Sequence, residues 1–130
     1  MKTVGIDTNV LVTLKLKREP GFTKAKSLLQ DCLKEKTNLF IPLPAILETE
    51  WVLRSYYGQA KEKVIEFLDE LFLIDNVLMD SKENVRFALN LYKISTGVNF
   101  TDCIILSEIN NRNFEFLTFD KKLENLFRSL

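Results

Sequence analysis

The chain has 130 residues, 46% of them apolar and 28% charged, with a formal net charge of zero and no histidine. That length and apolar share suit one ordinary packed domain rather than a disordered chain, and no apolar run reaches the ~18 residues that a membrane helix needs. Without an imidazole there is no Ser-His-Asp or Cys-His catalysis and no His-ligated zinc, so proton and metal chemistry must fall mainly on carboxylates.

Met1-Lys2 leads directly into an apparent strand at residues 3 to 6, with none of the segments that make a signal peptide. Helical patterns follow at about 8 to 17 and 22 to 36, separated by Pro20-Gly21. A second short strand is expected at 39 to 41. Pro44 then suits the first turn of a helix running to Tyr57, with Gly58 as its stop. The remaining pattern predicts a helix at 60 to 71, a strand at 73 to 79, and helices at 82 to 95 and 101 to 111. A fourth strand at 115 to 119 and a short helix at 121 to 128 complete it. The whole chain, 1 to 130, reads as one domain. Strands alternating with helices imply an α/β fold with a parallel sheet covered on both faces. In such sheets the functional site lies at the carboxyl ends of the strands. The two cysteines, Cys32 and Cys103, have no motif spacing, which suits a reduced, cytoplasmic chain.

Acidic residues fall where those strand ends should be. Asp7 directly follows the first strand and could be a helix N-cap, although Thr8 or Asn9 could cap as well. Asp102 shares a helical stripe with Ile105, Leu106 and Ile109, one turn earlier. A carboxylate there is costly unless it is paired, hydrogen-bonded or metal-bound. Its structural alternative is to accept backbone N–H bonds in the first helical turn, with Asn99 or Thr101 as the cap. Asp120 follows "FEFLTF" and could likewise cap the next helix. On the helix from Pro44, Glu48 lies angularly between Trp51 and Val52, so partial enclosure is expected. Glu50 lies beside Arg54 and Tyr57, and helical geometry prefers Glu48 only slightly.

The set matters more than its members. Carboxylates about 4 Å apart repel by roughly 4 kcal/mol at an effective dielectric of about 20. A cluster persists only if protonated, hydrated or neutralised by cations. Hard oxygen donors without His or Cys suit Mg²⁺ or Mn²⁺, and the matching chemistry is phosphodiester hydrolysis. Charge is also uneven: residues 1 to 40 hold eight Lys/Arg against four Asp/Glu, and residues 41 to 130 hold ten against fourteen. Lys15, Lys17, Arg18, Lys24 and Lys26 lie close together, as a solvated helix surface or as a phosphate-contacting patch.

Four segments in order, "GIDTNVLV", "IPLPAILETEWVL", "GVNFTDCIILSE" and "FLTFDKKL", resemble the motifs of PIN-domain ribonucleases. Their order and spacing are similar to those of VapC-type toxins of toxin–antitoxin pairs. The resemblance implies a three-layer α/β/α fold with a short central parallel sheet of four strands, or five where relatives add an edge strand. It implies an acidic site of Asp7, Glu48, Asp102 and Asp120 holding Mg²⁺ or Mn²⁺, with Asp7 and Asp102 as the main ligands. Asn9 and Thr118 would support it, and Glu48 is chosen over Glu50. The implied activity is endonucleolytic hydrolysis of tRNA or other structured RNA, with Lys15, Lys17 and Arg18 on its backbone. The implied partners are a second copy, in a homodimer, and an antitoxin protein, with no membrane. Trp51, Tyr56, Tyr57, Phe67 and Phe72 are candidate interface residues or ordinary core. Two departures stand out: Asn99 replaces an Asp found in many relatives, and the tail "ENLFRSL" shows no fifth strand.

Competing classes fit less well. A haloacid-dehalogenase phosphatase needs a second Asp where Asn9 stands. A receiver domain needs an acidic pair near its first strand. A PIN domain that binds RNA or a protein without cutting remains the alternative, and Asn99 is the feature that leans toward it.

Overall fold

The computed structural model describes residues 1–130, which form two compact units, Met1–Asp80 and Ser81–Leu130. The first unit holds all the strands. β1 (Lys2–Gly5), β2 (Thr37–Phe40) and β3 (Val77–Leu78) form a parallel sheet in the order β1-β2-β3. Val4 sits opposite Leu39, and Leu39 opposite Val77. Parallel neighbours need long crossovers. Helices α1 (Thr8–Leu16) and α2 (Gly21–Leu33) provide the first. Helices α3 (Leu43–Trp51) and α4 (Lys61–Phe72), joined through a π-helical turn at Val52–Tyr56, provide the second. The ladder runs a little past the strands, with Ile6 N–H donating to Phe40 O at 3.0 Å and Ile41 N–H to Leu78 O at 2.9 Å. Leu39, Ile41 and Val77 are buried in the sheet, and Leu11, Ile46, Leu53, Val64 and Leu68 are buried on the helices of this unit. Helix α1 packs on both α2 and α3, and α2 lies against β2.

Helix starts explain much of the local order. Helix α2 begins at Pro20, which offers no side-chain cap, and Glu19 fills the role instead. Its carboxylate accepts from Thr23 N–H at 2.8 Å and from the Thr23 hydroxyl. The Thr23 hydroxyl, and then its N–H, hold the Glu19 carboxyl below its ordinary value. A depressed carboxyl stabilises the fold above its unfolded pKa, and that contribution fades as pH falls through the lowered value. Thr23→Val should return the Glu19 titration toward an ordinary glutamate, as followed by NMR of the side-chain carboxyl. An unchanged titration would show that the hydroxyl contact does not matter in solution.

The second unit is helical: α5 (Lys82–Ile94), α6 (Phe100–Asn111) and α7 (Lys121–Arg128). Val85, Ala88, Leu89 and Tyr92 of α5 are buried, as are Phe100, Cys103, Ile104 and Ser107 of α6, and the two helices pack together. The i, i+3, i+4, i+7 spacing of that α6 set is the apolar stripe of an amphipathic helix. Tyr92 stacks on Phe100 with ring centroids 5.5 Å apart, and Ser107 Oγ donates to Asn84 O at 3.0 Å. Helix α7 contacts α6 and buries Leu123.

The helices match the sequence pattern closely, while the sheet has three strands rather than four or five. The strand expected at 73 to 79 shrinks to Val77–Leu78. Leu73 caps α4, Ile74 N–H donates to Leu71 O, and Val77 N–H turns back on Ile74 O, so the chain becomes extended only afterwards. Residues 115 to 119 form no strand, despite their alternation. Asn113 takes a left-handed φ of 56°, and Phe114 N–H returns to Ile109 O of α6. Alternation makes a segment suitable for a ladder, but a strand exists only with a neighbour to pair with, and the second unit has none. Leu117 and Phe119 are exposed. No helix is long and apolar enough to cross a membrane.

Candidate active site

Asp7 is the N-cap of α1: its backbone is extended and its Oδ1 accepts from Val10 N–H at 3.2 Å. Capping of this kind satisfies one of the free donors at a helix start. The side chain is exposed, and its second oxygen has no hydrogen-bond partner. Asp102 stands at the third position of α6 in a capping box: Asn99 Oδ1 accepts from Asp102 N–H at 2.7 Å, and Asp102 Oδ2 accepts from Asn99 N–H at 3.4 Å. Asp102 is half-buried. Of its expected stripe partners, Leu106 is buried but Ile105 is exposed, so the core face of α6 lies on the Phe100, Cys103, Ile104 and Ser107 side. Asp120 is the N-cap of α7, where Oδ1 accepts from Lys122 N–H at 2.9 Å and Leu123 N–H at 3.3 Å. Thr118 Oγ1 accepts from Asp120 N–H at 3.1 Å and fixes the backbone just before that cap.

Each aspartate therefore does the capping work that its local sequence allowed, and each keeps carboxylate lone pairs uncommitted. A carboxylate has about four acceptor positions, so a cap leaves room for a second task. The helix N-termini also favour negative charge there.

Glu48 departs from expectation. It is exposed, with no hydrogen bond or ion pair, rather than partly enclosed between Trp51 and Val52. The buried acid of α3 is Glu50, 3% exposed, whose Oε2 accepts from Arg54 Nε at 2.7 Å. Glu50 follows Ile46 and precedes Leu53 at i, i+4, i+7 spacing, so the pattern that buries it is in the sequence. The exposed Glu48 is the one of the pair that a ligand can reach.

Within the first unit, Asp7 and Glu48 follow the carboxyl ends of the adjacent strands β1 and β2, on helices α1 and α3 that pack together. Within the second, Asp102 and Asp120 stand at the starts of the contacting helices α6 and α7. Hard oxygen donors of this kind match a divalent cation in chemistry. Within either unit, no three Asp, Glu or Cys side chains converge into a group that could hold a metal ion.

The basic residues divide. Lys15 and Lys17 line a groove with Lys63, Glu66, Phe67 and Glu70, in which Glu66 pairs with Lys63 at 3.8 Å. Arg18 lies over the Tyr57 ring, 4.8 Å from its centroid. Lys24 lines a largely apolar groove of about 430 Å³ between α1 and α2, together with Asn9, Val10 and Leu28. Asn9 is thus exposed on the first turn of α1, two residues from Asp7. The pairing of Arg18 with Tyr57 had no signal in the sequence, because the two residues are brought together only by packing.

Fold and side chains together define an α/β protein that presents three aspartates at helix starts. The PIN domain model matches residues 4–127, and the chain belongs to that family. PIN domains are in general nucleases. No curated protein matches the chain.

Proposed function

We propose that this PIN domain is a Mg²⁺- or Mn²⁺-dependent endoribonuclease and the toxin of a toxin–antitoxin pair. The observation that carries the reading is the family match over residues 4–127, combined with Asp7, Asp102 and Asp120 at three helix N-termini, each with spare oxygen capacity. Asp7 and Asp102 are the principal carboxylates, and Glu48 and Asp120 complete the set. Asn9 and Thr118 hold the neighbouring backbone and solvent, and Lys15, Lys17 and Arg18 meet RNA phosphates. The reading takes 1–130 as a single functional domain working in the cytoplasm, as a homodimer blocked by an antitoxin. It requires the four acids to share a cation when RNA is cut.

Cleavage of total tRNA by the purified chain should depend on added Mn²⁺ or Mg²⁺, stop with EDTA and return when the cation is restored in excess. Cutting that persists in EDTA would overturn the metal dependence. Asn99, which stands where many relatives carry an Asp, favours one alternative, a PIN domain that binds RNA or a protein without cutting it. Metal-independent RNA binding with no cleavage under any divalent cation would establish that alternative.

A further inference from the structure

Around the π-helical turn of the first unit, Trp51, Tyr56 and Arg18 are exposed and Tyr57 is half-buried, and the acidic site uses none of them. Tyr56 and Tyr57 meet edge to face, with ring centroids 4.8 Å apart and planes at 77°. The Arg18 guanidinium lies over the Tyr57 ring. Tyr56 is 76% exposed and Trp51 58% exposed. Sequence pattern alone made ordinary core the default for these rings, and the structure puts two of them in water. The cause is local. The helix that begins at α3 widens into a π-helical turn at Val52–Tyr56, closed by Tyr57 N–H donating to Val52 O at 3.1 Å. Such widened turns re-aim side chains and occur often at functional sites. Arg18 arrives from the turn after α1, where Lys17 takes a left-handed φ of 56°.

We propose that Trp51, Tyr56, Tyr57 and Arg18 form a stacking platform for unpaired bases of an RNA strand. This rests on the ribonuclease reading and names the form of substrate it takes. Exposed aromatic faces and guanidinium planes are what bind unpaired bases, because every base offers a π-face whatever its sequence. Charge complementarity chooses RNA over an apolar protein surface: Arg18 is exposed and forms no ion pair with an acid. Its charge is therefore available to a phosphate beside the Tyr57 ring. Position agrees. Trp51 lies one helical turn beyond Glu48, and both are exposed, so a base stacked on Trp51 keeps its strand next to that acid.

Binding is measured in EDTA, so that nothing is cut, with a short labelled single-stranded RNA and the blunt duplex of the same sequence. Trp51 is the only tryptophan, so its fluorescence reports contact directly. The single strand should bind more tightly than the duplex and quench Trp51. Tyr56→Ala should weaken binding roughly tenfold, the effect of losing about one stacked base. Tyr56→Phe should bind as wild type, and Arg18→Lys should lose part of the affinity although the charge remains. Equal affinity for strand and duplex would overturn the proposal. So would Tyr56→Ala binding that matches wild type, or a Tyr56→Ala chain whose only change is a smaller assembly by light scattering, since the rings would then cover protein. A chain that binds single strands through Tyr56 but cuts nothing with any divalent cation would sink the nuclease reading and leave the platform standing.

Discussion

Replacing Asp102 by Asn should leave the protein folded and remove RNA cleavage. Asn keeps the size of the side chain and an oxygen that can still accept from Asn99 N–H, now at 3.4 Å. The shorter bond of the capping box, from Asp102 N–H to Asn99 Oδ1 at 2.7 Å, uses the backbone of residue 102 and is untouched. What disappears is a negative charge at a helix start, worth only about 0.3–1 kcal/mol. The loss of activity should be far larger. Removing a group that merely braces a metal ligand costs about 10–100-fold, and a direct ligand should exceed that. The opposite variant separates the two roles. Asn99→Ala deletes the side-chain cap and should cost about 1 kcal/mol of stability. It leaves the Asp102 carboxylate in place, so cleavage well below the melting temperature should persist. The checks are tRNA cleavage with Mn²⁺ and thermal melting of both variants. An Asp102→Asn protein that cuts like wild type would reduce Asp102 to a cap of α6.

That pair of variants marks where sequence reading stopped. The sequence located Asp7, Asp102 and Asp120 and named a competing role for each at a helix start: a cap for Asp7 and Asp120, and acceptance of backbone N–H bonds for Asp102. The structure shows those hydrogen bonds, because an oxygen at a helix start finds the backbone donors beside it whatever else it does. Local spacing therefore finds such acids but cannot separate the two roles. Glu48 and Glu50 failed differently. A helical wheel fixes angles within α3 but not the direction of the core, and Ile46 and Leu53 place that core on the side of Glu50. Helices were legible because their apolar period persists over several turns. The π-helical turn after Trp51 was not, since one extra residue per turn leaves no pattern of its own. Strands were least legible. "FEFLTF" has the alternation of a ladder strand, yet pairing is a property of a neighbour, and alternation carries no information about one.

The chain's ten phenylalanines divide by the same logic, and Phe100 should prove the most costly to lose in the second unit. It is 1% exposed, opens α6 and stacks on Tyr92 of α5. Phe100→Ala should cost about 3–5 kcal/mol, because lost transfer energy is joined by the cavity left behind. A typical domain is stable by only about 5–15 kcal/mol, so much of the chain should be unfolded or near its transition. Phe100→Leu keeps part of the apolar volume and should cost less. Phe119 is 96% exposed, and Phe119→Ala should stay within about 0.5 kcal/mol of wild type, as surface substitutions do. Denaturant unfolding followed by circular dichroism ranks the three. The consequence reaches the candidate site, since Phe100 directly follows the cap residue Asn99 and lies two positions before Asp102. Packing of Phe100 against Tyr92 anchors the turn that presents the Asp102 carboxylate, so Phe100→Ala should lose cleavage with no acid altered. If Phe100→Ala and Phe119→Ala proved equally stable, the α5–α6 contact would not be the core of the second unit. The placement of Asp102 would then need another cause.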